Sequence, residues 1–100
     1  MTLYDENGKE QAVLMGPELA LYDAGGKTRA SLHLAKEGTG LSLSDENGKI
    51  RTALITFTDG QGLVFYDPNR KMRAKLGMNN SKSVLELFDE TGKAIWSAPK

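Results

Sequence analysis

The chain has no cysteine and a single histidine, His33. The first absence excludes disulfides, thiolate nucleophiles and zinc–thiolate sites. The second excludes any site that needs two imidazoles. Charge of either sign is not in excess: 13 Lys and Arg face 13 Asp and Glu, for a formal net charge of zero. Nothing therefore favours nucleic acid or an anionic membrane surface as a partner. No stretch approaches the roughly 18 apolar residues of a membrane-spanning helix. The start, Met1-Thr2-Leu3-Tyr4-Asp5-Glu6, lacks the basic-then-apolar order of a signal peptide. The sequence as given is expected to be soluble, without direct membrane insertion, and its compartment is left open. With 39% hydrophobic and 26% charged residues, it belongs among globular chains rather than disordered ones. One hundred residues hold one domain, 1–100.

What the sequence does have is a repeat. Leu41-Ser42-Leu43-Ser44-Asp45-Glu46-Asn47-Gly48-Lys49-Ile50-Arg51-Thr52-Ala53-Leu54 recurs before itself from Leu19 to Leu32 and after itself from Leu63 to Leu76. A further copy begins Leu85-Glu86-Leu87-Phe88-Asp89, and a shortened one begins Leu3-Tyr4-Asp5. The aspartates Asp5, Asp23, Asp45, Asp67 and Asp89 are 18, 22, 22 and 22 residues apart. Repeats fall at about 1–16, 19–40, 41–62, 63–84 and 85–97, the first resembling a terminal cap.

Each copy reads as a β-hairpin. Apolar residues alternate at period two on both sides of an Asp-x-x-Gly turn. Gly and Asn recur too often for a stable helix. Pro68 suits the first central position of a type I turn. Gly8, Gly26, Gly48 and Gly92 occupy the fourth turn position, where Arg70 departs from the pattern and is expected to be mildly strained. An Asn-Gly turn of type I′ is the rival, but it would force Thr91 to positive φ. A four-residue loop is expected, because an even loop keeps Leu41, Leu43, Thr52 and Leu54 on one face, whereas a three-residue loop with a bulge is expected to scatter them onto both. The links between hairpins are too short for a crossover helix. The fold class is therefore all-β: an antiparallel meander of about five hairpins at a 22-residue period, ten strands with one apolar face. That face demands closure into a barrel-like form or sandwich, or completion by oligomerisation.

The run Asp45-Glu46-Asn47-Gly48-Lys49-Ile50-Arg51-Thr52 resembles the Asp-Glu-Asn-Gly-Lys-x-Arg-Ala core of a repetitive bacterial family of uncharacterised proteins. The ending Gly92-Lys93-Ala94-Ile95-Trp96-Ser97-Ala98-Pro99 is similar to the way such arrays close. The resemblance spans the chain and implies a bacterial origin, with an anchoring or coiled segment often preceding such arrays. It implies no activity and no catalytic residue. Arg70 for Gly and Thr52 for Ala are departures that leave the hairpin intact.

Several motifs approach known chemistry and stop short. Asp45, Asn47 and Gly48 begin like a calcium loop but lack the bidentate Glu and the flanking helices. Such residues are also what a tight turn uses. Gly25-Gly26-Lys27-Thr28 ends like a phosphate loop, but Leu21 stands where its first Gly belongs and a strand follows. A metal site on His33 would need carboxylates such as Glu37 and Asp59 gathered from afar. Asn79-Asn80-Ser81 fits a glycosylation sequon by pattern only. No nucleophile elbow is present. No cofactor, metal site or catalytic residue is expected.

One pattern on the mixed face is suggestive. An even register places Tyr22 near Arg29 and Tyr66 near Arg73, a stripe able to stack on a ligand or glycan. The expected function is a non-enzymatic structural or protein-interaction module that self-associates or binds another protein. The alternative is a carbohydrate- or small-ligand-binding domain using Tyr22, Arg29, Tyr66 and Arg73.

Overall fold

The structure, a computed structural model, describes residues 1–36 and 38–99. Alternating apolar residues and frequent turn signals produce ten strands. They are β1 (Thr2–Tyr4), β2 (Glu10–Met15), β3 (Glu18–Tyr22), β4 (Thr28–Ala35) and β5 (Gly38–Ser44), then β6 (Ile50–Phe57), β7 (Gly60–Tyr66), β8 (Met72–Asn79), β9 (Ser83–Phe88) and β10 (Ala94–Ala98). They lie side by side in chain order, each antiparallel to the next, in a single sheet.

The hairpin turns correct the expected loop. Gly48 N–H donates to the Asp45 carbonyl at 3.0 Å, and Asp45 N–H to the Lys49 carbonyl at 2.8 Å. Three residues, not four, separate that pair. Gly48 lies at φ 82°, while Asn47 is not among the positive-φ residues. That rules out the primed turns and type II, leaving a type I turn closed by a left-handed residue. An odd loop alone would flip every apolar side chain to the wrong face. A bulge one pair further on restores the parity. Ser44 pairs with Ile50, but Leu43 pairs with Thr52, so Arg51 is an extra residue. The same shift leaves Gln11, Arg29, Arg73 and Ile95 as the extra residues of the other hairpins.

The aspartate has its own reason to recur. Asp45 Oδ1 accepts the backbone N–H of Asn47 at 2.9 Å and of Lys49 at 3.0 Å. Asp5, Asp23, Asp67 and Asp89 hold their turns in the same way. Asn79 does so in the link between β8 and β9, accepting from Ser81 N–H at 2.9 Å and Lys82 N–H at 2.8 Å.

The sheet does not close on itself. β1 and β10 are its two edges, and its outline is 52 × 30 × 14 Å. The barrel-like or sandwich closure expected within one chain is absent: hairpins this regular continue the meander sideways, with no corner to turn it back. Among the described residues only Ala20 and Val64 are buried apolar residues. Both stand on the mixed face, each followed two residues later by a tyrosine on the same side.

Candidate functional site

The apolar face is ordered into rows that cross the strands. Register places Leu14, Leu19, Leu32, Leu41, Leu54, Leu63, Leu76 and Leu85 opposite one another from β2 to β9. This leucine ladder is open to solvent: Leu54 is 46% exposed and Leu76 52%. The next row alternates in size. Leu21, Leu43, Phe65 and Leu87 are separated by Ala30, Thr52 and Ala74. From β3 to β9 the odd-numbered strands supply the large side chains and the even-numbered strands the small ones, because the two arms of each repeat differ. Trp96 ends the row on β10, opposite Leu87.

The other face carries a second feature. Ser31, Ser42 and Ala53 are register partners on β4, β5 and β6. Three short side chains in line leave a trough across the strands. Tyr66 and Ile50 rise on the side of the hairpin tips, and His33 and Ile55 on the other. The groove has a volume of about 530 Å³, and Arg70 borders it at the tip end. The floor hydroxyls are already paired, with Ser31 Oγ and Ser42 Oγ 2.9 Å apart. His33 Nδ1 lies 3.4 Å from Glu18 Oε2.

The arginines divide into two kinds. Arg29 Nε donates to the Ser44 carbonyl at 2.9 Å, Arg51 Nε to the Tyr66 carbonyl at 2.8 Å, and Arg73 Nε to the Phe88 carbonyl at 2.9 Å. Each acceptor belongs to the following hairpin. Each of these guanidinium groups also lies 3.6 Å from the aspartate of its own turn, Asp23, Asp45 or Asp67. Arg70 has no such partner among the described residues. It sits at φ 64°, where an L-residue costs about 1–2 kcal/mol.

The stripe expected from sequence is thus partly assembled. Tyr22 pairs with Thr28, and Arg29 is the bulge residue beside them. Tyr66 pairs with Met72, with Arg73 beside them. The two tyrosines are four strands apart, about 19 Å at ordinary strand spacing, so they form two patches rather than one. Sequence reasoning missed the arginine clips. Their signal was available in the recurrence of Arg29, Arg51 and Arg73 six positions after an aspartate.

Backbone donors and the arginines hold Asp23, Asp45 and Asp67 below the ordinary carboxylate value. The first cause in each is the N–H of Lys27, Lys49 or Lys71. For Asp89 the Thr91 hydroxyl leads. These carboxylates are turn acceptors. Among the described residues no group of three or more His, Asp or Glu is placed to hold a metal; Glu37, one candidate ligand, lies outside them. Likewise, no helix among the described residues is long and apolar enough to cross a membrane. Compared with known protein families and with curated proteins, the chain matches none.

Proposed function

We propose that the chain is a non-enzymatic interaction module that self-associates, its apolar face packing on the same face of a second copy. The observation that carries this is excess surface. The accessible area is 7253 Å², whereas a compact monomer of 10.9 kDa exposes about 5,600 Å². The difference, about 1,700 Å² per chain, is more than the roughly 800 Å² per partner of a standard interface. The face also suits its own copy. Large side chains on alternate strands leave gaps at Ala30, Thr52 and Ala74, and a two-fold-related sheet shifted by one strand would fill them. A catalytic role has less support, since the five recurring aspartates each serve a turn.

Light scattering on a sizing column tests the proposal. A species of twice 10.9 kDa at micromolar concentration is expected, falling to one chain in Leu54→Lys and in Phe65→Lys. A monomeric wild type would overturn it. Dimers that survive both substitutions would move the contact to the sheet edges. Small-ligand binding, the second reading, is favoured by the groove on the opposite face.

A further inference from the structure

We propose that the groove on the mixed face binds a flat, mainly apolar ligand that carries one anionic group, and that Arg70 receives the anion. The site is independent of the self-association face, which lies on the other side of the sheet.

Three observations converge on it. The first is shape. Ser31, Ser42 and Ala53 form a floor three strands wide, about 14 Å from side to side counting the flanking space at ordinary strand spacing. Ile50 and Tyr66 wall one side and Ile55 the other. A planar ring system lying across the strands meets aliphatic and aromatic carbon on both flanks. The second is the state of the polar groups. The floor hydroxyls bond each other, and His33 faces Glu18. A sugar ring, rich in hydroxyls, would find few open partners there, whereas an apolar body needs none.

The third is Arg70 itself. Every other hairpin has glycine at this left-handed position: Gly8, Gly26, Gly48 and Gly92. The one side chain placed there against conformational preference borders the groove. It is also the one arginine among the described residues with neither the carbonyl nor the aspartate partner that engages Arg29, Arg51 and Arg73. A non-glycine residue held at a left-handed φ beside a cleft is the kind of backbone outlier that points to a functional role. A guanidinium with free donors pairs with carboxylate, sulfonate or phosphate oxygens.

Fluorescence titration with anilinonaphthalene sulfonate and its uncharged parent, phenylnaphthylamine, tests this. The wild-type protein is expected to bind the sulfonate about fivefold more tightly than the neutral probe, the scale of an exposed charge pair. Arg70→Gln removes the charge and keeps a side chain at the left-handed position. It should abolish the preference and leave the neutral probe's affinity unchanged. Ala53→Phe, which fills the floor, should weaken both probes. Equal affinities in the wild type, or a preference that survives Arg70→Gln, would overturn the proposal. Methyl shifts on titrating the wild-type chain give a test that no variant's folding can confuse. Movement of Ile50 and Ile55 supports the groove, and movement of Leu54 and Leu63 alone refutes it.

Discussion

Arg51 joins two hairpins: its Nε donates to the Tyr66 carbonyl at 2.8 Å while its Nη1 lies 3.6 Å from Asp45 Oδ2. The residue is the bulge residue of its own hairpin, so its side chain leaves the ordinary alternation and reaches sideways. Arg29 and Arg73 repeat the contact one hairpin earlier and one later. In a sheet with almost no buried core, such lateral clips help to keep neighbouring hairpins in register. Lys49 adds a similar link at the tips, donating from Nζ to the Pro68 carbonyl at 3.0 Å.

Arg51→Met should therefore weaken the array at one seam. It removes a charged hydrogen bond and a partly exposed ion pair while keeping an aliphatic stem. A loss of about 1–2 kcal/mol in urea unfolding is expected. Amide exchange should quicken first at the boundary of β6 and β7. A change under a few tenths of a kcal/mol, with unaltered exchange there, would show that the clip contributes nothing.

The turn aspartates are acceptors before they are charges. Asn79 performs the same double acceptance with a neutral amide oxygen. Asp45→Asn should thus retain most of the turn's stability, losing mainly the pairing with Arg51. Asp45→Ala leaves the N–H groups of Asn47 and Lys49 to water and should lower the melting temperature clearly more than Asp45→Asn does. Equal losses in the two variants would mean that charge, not acceptance, is what the turn requires.

Acid should loosen the tips together. Asp23, Asp45, Asp67 and Asp89 are held below the ordinary value of 3.8 by donors that favour the ionised form. A carboxylate depressed in the folded state contributes stability that is full above its unfolded value. That contribution is lost as pH falls through the lower folded value. The melting temperature should hold level from neutral pH to about 5 and fall below about 4. Replacing Asp45 with Asn should shallow that fall. A melting temperature that rises on acidification would contradict the assignment.

Position four of the turn gives a matched pair of opposite sign. Gly48 is at φ 82° with open space where a Cβ would stand, so Gly48→Ala meets backbone strain and no collision. It should cost about 1 kcal/mol. Arg70→Gly releases the corresponding strain and should raise the melting temperature. If Arg70→Gly melts lower, the arginine has a stabilising contact that offsets its backbone.

How much of this was legible in the residues follows from what each signal encodes. Period-two apolar patterning and turn signals at a regular spacing gave all ten strands and their order. They also gave the apolar face, with Leu41, Leu43, Thr52 and Leu54 on it. The loop differs from the expected even one because parity constrains only the sum of turn and bulge: the extra residue Arg51 restores the alternation that an odd loop breaks, so a three-residue loop with a bulge scatters nothing. The bulge then decided where Arg29, Arg51 and Arg73 point, which pairing Tyr22 with Arg29 could not foresee. Closure was beyond local pattern as well. Whether a greasy face turns inward on its own chain depends on corners, and these near-identical hairpins have none. Arg70 was visible as an exception in the repeat, but its place beside Ile50 and Tyr66 required the fold.

The uncovered leucine ladder leads to the last prediction. If two copies bury this face together, unfolding is linked to dissociation, and stability depends on protein concentration. Each tenfold rise in concentration should add about 1.4 kcal/mol to the measured stability and raise the melting temperature by several degrees for a chain this size. Leu54→Lys should remove that dependence, because a charged side chain at the centre of the ladder is costly to bury against apolar neighbours. A concentration-independent melting temperature in the wild type would mean that the face stays open to water, and that the excess surface of the sheet serves a different kind of partner.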